Sequence, residues 1–359
     1  MCFGKLVTVL VGVLCAASAS SAGPIYSVYP IATPAGWTNV YASGMNNSGQ
    51  VAGYGWNGST EQAFIASTSG STPIPFPPGW VWAYGLAIND FGQVAGSGST
   101  GSLWSGPLQA FIGTTSGSTA IPLPPGWSWA EGFAINDFGQ VAGRVSTGSY
   151  GEGPSQAFIG TISGSTAIPL PPGWVSARGS GINDSGQVVG DGFTGGPWQA
   201  FIGTTSGSTP IPLPPAWAYA YASDINDSGQ VVGYGWTGSN GQAFIGTTSG
   251  STPIPLIPGW SGTWGAALNN AGQVVGGGSG GGWIWDPING SQALNDLVPP
   301  EWAIGILSIN DRGQILAYAT RTGWEGYVLL DRVPEPTTGV LLAGGLTLLV
   351  ALARRKRTN

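Results

Sequence analysis

Hydropathy along this chain rises and falls in short bursts broken by Gly, Pro, Asn, Asp and Ser, a pattern of brief strands and tight turns rather than helices. One stretch shows the grammar. Between Trp217 and Trp260, "AYASDI" alternates small and larger residues and reads as a first strand. "NDSG" is a turn, "QVVGYGW" a second strand, "QAFIGTT" a third after a loop, and "TPIPLI" a fourth after "SGS". The prolines of the fourth strand lack ladder donors, which places it at the sheet edge.

The same unit recurs. The asparagine that opens the turn falls at Asn46, Asn89, Asn136, Asn183, Asn226, Asn269 and Asn310, at spacings of 43, 47, 47, 43, 43 and 41 residues. A period in the forties with four strands per unit predicts propeller blades, each too small to be stable alone. After the seventh asparagine only second and third strands remain before the tail, whereas "SVYPIATPAGW" (27–37) aligns with "GSTPIPFPPGW" (70–80). The expected fold is therefore an all-β, seven-bladed propeller of four-stranded blades across residues 23–333. Ser27–Ala32 is expected to pair with Gly326–Asp331 and close the ring, a role that a linear solenoid of the same units would not require.

The two ends read differently. Residues 1–22 combine Lys5, an apolar run from Leu6 to Ala17 and small residues that allow cleavage after Ala19 or Ala22, the pattern of an export signal. Both cysteines, Cys2 and Cys15, lie inside it, so no disulfide is expected in the exported body. Residues 334–359 join "PEP" to an apolar run, Gly339–Ala353, and a basic cluster. This tail resembles the PEP-CTERM sorting signal of exported bacterial proteins. The resemblance implies a C-terminal hydrophobic helix, Pro334, Glu335, Pro336, Arg354 and Arg355 as the sorting motif, and an exosortase-type processing enzyme as partner. An ordinary membrane anchor is the plainer alternative. Either places the body outside the cytoplasm, at the cell envelope or beyond it, with the tail as a transient or retained membrane contact.

The chain has no histidine, and its lysines, Lys5 and Lys356, sit in the end segments. Triads built on His, a lysine Schiff base and ordinary zinc sites are thereby excluded from the body. Five arginines face fifteen acids between residues 23 and 333, a charge balance that disfavours nucleic acid. No cofactor is expected, and a monomer is. The motifs "NDSGQVVG" and "QAFIG" are similar to the HAF repeats of bacterial extracellular proteins, named for a His-Ala-Phe triplet. Here Gln62, Gln109, Gln156, Gln199 and Gln242 replace the histidine. The resemblance implies an exported repeat domain and no mechanism.

Two repeated columns read as scaffold. Asp90, Asp137, Asp184, Asp227 and Asp311, with Asn47 and Asn270, are expected to accept bonds from their own turn amides rather than to form a calcium or catalytic ring. Trp37, Trp80, Trp127, Trp174, Trp217, Trp260 and Trp302 are expected to pack between blades. Function is sought where the copies differ. Five residues before each asparagine stand Tyr41, Tyr84, Glu131, Arg178, Tyr221, Trp264 and Gly305, a column expected to ring one channel mouth. Trp56, Trp104, Tyr150, Trp198 and Trp236 reach the same end. Aromatic faces with scattered acids and amides suit sugar rings, so the expected function is a surface or matrix protein, not an enzyme, with extracellular polysaccharide as ligand at Tyr41, Tyr84, Glu131, Arg178, Tyr221 and Trp264. The alternative is a carboxylate-dependent glycoside hydrolase or lyase at that mouth, using acids off the common pattern: Glu61, Glu131, Glu152, Asp191 and Asp224.

Overall fold

The computed structural model describes residues 25–102, 106–148, 153–236, 238 and 240–333. These form seven antiparallel four-stranded sheets. In six of them the four strands are consecutive in sequence. The seventh takes Ala303–Ile309, Ile315–Arg321 and Trp324–Arg332 from the C-terminal side and Tyr26–Pro30 from the N-terminal side. Tyr26 lies opposite Arg332 and Pro30 opposite Val328, so the ring is closed by the first strand as the alignment predicts. The amides of Ile25 and Tyr26 add bonds to the Leu297 carbonyl in the neighbouring blade. The expected export signal, sorting motif and C-terminal hydrophobic helix all fall outside the described residues. Among the described residues no helix is long and apolar enough to cross a membrane.

First strands pack on first strands around the axis, and Thr38–Met45 meets Ala303–Ile309 to complete the circle. Each apolar cluster spans two blades: Ala52, Ile65 and Ile74 of blade one meet Trp80, Val94 and Phe111 of blade two, for example. Burying such a Phe or Ile contributes about 1.5–3 kcal/mol. The repeated tryptophan is part of this seam. Trp37, Trp80, Trp174 and Trp217 each present an edge or face to a phenylalanine 5.8–6.0 Å away. The second strand carries glycine beneath this indole because a Cβ at Gly192 would overlap Trp174, and one at Gly235 would overlap Trp217.

Three features differ from the expectation or extend it. The fourth strand is shorter than "TPIPLI", ending at Pro73, Pro210 or Pro253 in three blades. One further bond follows, from the Ile74 amide to the Ala63 carbonyl, before Pro75 supplies no donor. Every inner strand carries a bulge two to four residues before the asparagine, as between Gly132 and Ala134. Lastly, the repeated glutamine is structural: Gln62, Gln109, Gln156 and Gln242 donate through Nε2 to the carbonyls of Ile74, Ile121, Ile168 and Ile254 at 2.6–3.0 Å.

Candidate functional site

The two ends of the channel are chemically opposite. At one end the asparagines are almost fully buried and do two jobs. Each Oδ1 accepts from its own turn, as Asn183 Oδ1 does from the Gln187 amide at 2.9 Å. Each Nδ2 donates to the carbonyl of the equivalent asparagine in the next blade, and the series closes when Asn310 Nδ2 reaches the Asn46 carbonyl at 3.0 Å. A second ring lies outside the first. Asp90 Oδ1 accepts from the Asn47 amide, Asp137 Oδ1 from that of Asp90, and so on to Asn47 Oδ1, which accepts from Asp311.

This corrects the expectation for the acidic column: the carboxylates bond the neighbouring blade's turn, not their own, and the buried asparagine caps the local turn. It also gives the two exceptions a reason. Asn47 Nδ2 bridges Asp90 and Asp311, and Asn270 Nδ2 bridges Asp227 and Asp311, at 2.7–3.1 Å, so two amides separate what would otherwise be seven carboxylates in a row. The rings enclose a cavity of about 180 Å³. Asp224, one of the acids off the pattern, lies here rather than at the mouth. Its oxygens accept from the amides of Ile225 and Leu268, and burial pushes its carboxyl up to about 6. Among the described residues no group of three or more acidic, Cys or His side chains is arranged to hold a metal ion.

At the other end, the variable column faces a second one that the sequence reading missed. Tyr41 lies opposite Tyr54, Tyr84 opposite Ser97, Glu131 opposite Arg144, Arg178 opposite Asp191, Tyr221 opposite Tyr234, Trp264 opposite Gly277, and Gly305 opposite Tyr318. The signal was available: the partner always stands thirteen residues on. Five blades thus present aromatic or neutral pairs and two present ion pairs of reversed order.

The candidate residues fall into three groups. Tyr41 and Tyr84 meet through Tyr54, at centroid distances of 5.2 and 4.4 Å, and Trp82 extends the run. Burial, with Glu61 and Tyr54 adding to it, pushes the Tyr84 phenol up to about 12. Glu131 and Arg178 occupy adjacent blades. Glu131 binds Arg144 at 3.1 Å, and Arg144 lies 4.7 Å over the Trp129 ring. Arg178 Nε binds both oxygens of Asp191 at 3.1–3.2 Å. Burial raises the Glu131 carboxyl, and it pushes Asp191 up to about 6 against the pull of Arg178.

Tyr221 and Trp264 form the third group. Tyr221 stacks on Tyr234 at 5.2 Å, and Tyr219 stacks on Trp236 at 5.9 Å. Trp264 covers Gly277, where a Cβ would collide with its indole, and remains 50% exposed. Trp264, Tyr234 and Trp236 wall a groove of about 570 Å³ between blades five and six, with Asn240, Ser261 and Ser279 among its polar groups and Gly241, Gly262 and Gly278 beside them. Trp198, 6.1 Å from Tyr221, adds a further ring. Trp104, Tyr150 and Glu152 lie outside the described residues.

No family model matches this sequence, and no curated protein matches it. Solved structures do. One is the β-propeller domain of the Trilobed protease from Pyrococcus furiosus, described as having an open velcro topology: 12% identity, TM-score 0.53, 83% of this chain and 99% of that one. Another is a puromycin hydrolase S511A mutant complexed with PGG: 13% identity, TM-score 0.51, 81% of this chain and 52% of that one, so this chain spans about half its length. At such identities the likeness establishes the β-propeller fold alone. It corrects one expectation nonetheless. The chain is expected above not to be an enzyme, yet the propellers it matches come from a protease and a hydrolase, so this fold gives no ground for that exclusion.

Proposed function

We propose that this chain is an exported surface protein whose propeller binds extracellular polysaccharide at the mouth opposite the asparagine ring. The observation that supports this reading is Trp264. An indole lying across a glycine strand, half open to solvent and walling a groove with Tyr234, Trp236 and hydroxyl and amide groups, has the make-up of a sugar platform. The seam between the blades is filled by Trp260 and Trp283, so Trp264 stands outside it. The tail, by its resemblance to a PEP-CTERM signal, would be processed by an exosortase-type enzyme. A glycan array followed by calorimetry tests the site. Trp264→Ala and Tyr221→Ala are expected to lower affinity about tenfold or more with an unchanged melting temperature; binding that survives both changes refutes the site.

A second reading, cleavage of the bound glycan, is favoured by Glu131. Burial raises its carboxyl against the pull of Arg144, the direction a general acid needs, and it lies at the mouth in the blade beside Arg178. Release of reducing ends or unsaturated products by the wild type, and none by Glu131→Gln, would establish it.

A further inference from the structure

The mouth holds two ion pairs, and they are not equivalent. In blade three, Arg144 is the less open of the two: its Nη2 meets Glu131, its plane covers Trp129, its Nε is buried without a partner among the described residues, and its side chain is 29% exposed. In blade four, only the Nε of Arg178 is used. Asp191 takes that nitrogen with both oxygens while being 1% exposed itself, so it anchors the arginine from beneath and is closed to any ligand. The Arg178 side chain is 47% exposed, and among the described residues its two terminal nitrogens make no hydrogen bond. A guanidinium held at its neck with a free fork offers paired N–H donors in the geometry that a carboxylate accepts.

Its neighbours say what else the ligand must carry. The charges of Arg178 and Asp191 are felt by the phenols of both Tyr221 and Tyr234. Tyr234 is also a wall of the groove that Trp264 closes on the far side. Aromatic faces therefore run from the open guanidinium to the indole platform without a charged residue between them on blade five's paired columns. A simple anion would gain little here, because the body is strongly acidic and one arginine already paired to a carboxylate supplies direction rather than field. A negative group fixed to a stacking ring gains both contacts.

We infer that the ligand is an acidic saccharide, a uronic-acid glycan whose carboxylate bonds to Arg178 while its rings lie along Tyr221, Tyr234 and Trp264. This deepens the polysaccharide reading above and rests on it. The raised Asp191 carboxyl works in the same direction, since its protonation in mildly acidic solution leaves Arg178 as the uncompensated charge.

The test uses the full chain and oligomers of galacturonate, glucuronate and mannuronate, each as free acid and as methyl ester, with neutral cello- and galacto-oligosaccharides beside them. The expected result is that at least one acid binds about tenfold or more tighter than its own ester. Arg178→Gln should abolish that preference while leaving ester binding intact, and Trp264→Ala should weaken acid and ester alike. To guard against a fold defect from stranding Asp191, the double variant Arg178→Gln/Asp191→Asn leaves no buried charge and should behave as the single one. Acid and ester bound equally, neutral sugars alone bound, or a preference that survives both Arg178 variants overturns the acidic-glycan inference and leaves the glycan reading standing. No binding of any saccharide overturns both.

Discussion

Asn183→Ala is the sharpest probe of what holds the blades together. The side chain is 3% exposed and makes three bonds: Nδ2 to Gln187 Oε1 at 2.9 Å, Nδ2 to the Asn226 carbonyl at 3.0 Å, and Oδ1 from the Gln187 amide at 2.9 Å. The Asn226 carbonyl keeps a second partner in the Gly229 amide, whereas the Gln187 amide loses its acceptor. Three bonds at about 1 kcal/mol each, plus about 1 kcal/mol or more for the stranded amide, amount to roughly 3–5 kcal/mol. For a domain of this size that is a fall in melting temperature of about 5–8 °C, read by calorimetry. Asp184→Ala is the control. It removes one partly exposed inter-blade bond, from the Asp137 amide, and should cost about 1 kcal/mol or less. Asn183→Asp separates ring closure from turn capping, because it keeps an acceptor for Gln187 but points a carboxylate at two oxygens. It should be worse than alanine at neutral pH and recover as acid protonates it. If Asn183→Ala melts no lower than Asp184→Ala, the inner ring is not a principal tie between blades.

Three other outcomes are expected. Deleting residues 25–31 removes the ladder to Trp324–Arg332 and the burial of Tyr26 and Ile31, so hydrogen exchange should accelerate across 303–332 first and the melting temperature should fall by several degrees. Gly192→Ala drives a methyl into Trp174 and should cost about 1–3 kcal/mol in chemical denaturation. Asp224 holds its proton more tightly folded than unfolded, its carboxyl rising from 3.8 to about 6. The wild type should therefore lose roughly 2–3 kcal/mol of stability relative to Asp224→Asn as pH climbs from about 4 to 6, a loss complete above that window. Parallel stability curves for the two proteins would show that Asp224 ionises freely.

The architecture was legible because its signals are local and repeated. Asparagine and glycine mark each inner turn, Pro75 and its equivalents end the outer strands of the first five blades, and the displaced "SVYP" betrays the closure. The two rings were not legible, since an asparagine that caps its own turn and one that also ties two blades look identical in sequence. The same holds for Gln62, whose bond to the Ile74 carbonyl follows from the fourth strand's position. At the mouth, the column from Tyr41 to Gly305 could be read from its variability. Its cross-strand partners could have been found at a constant offset, but the groove beside Trp264 could not, because it depends on Gly241 and Gly278 of two strands and Gly262 of a loop brought together from distant parts of the chain.

The inner strands thus serve two masters a few residues apart, and the energies explain how. At the asparagine end each blade contributes bonds on the order of 3 kcal/mol that every neighbour must match, so substitution there is penalised around the whole circle. At the mouth the cross-strand pair is worth only about 0.2–1 kcal/mol and is held mainly within its own sheet, with ring contacts such as Tyr54–Tyr84 reaching the next blade. A pair can therefore be exchanged, or reversed as Glu131–Arg144 is reversed in Arg178–Asp191, with little effect on the ring. Reversal changes what solvent meets: an acid stands on the inner strand of blade three and a base on that of blade four. Seven nearly independent positions on one rigid frame can carry a binding surface that differs blade by blade, and the open guanidinium of Arg178 is one product of that freedom.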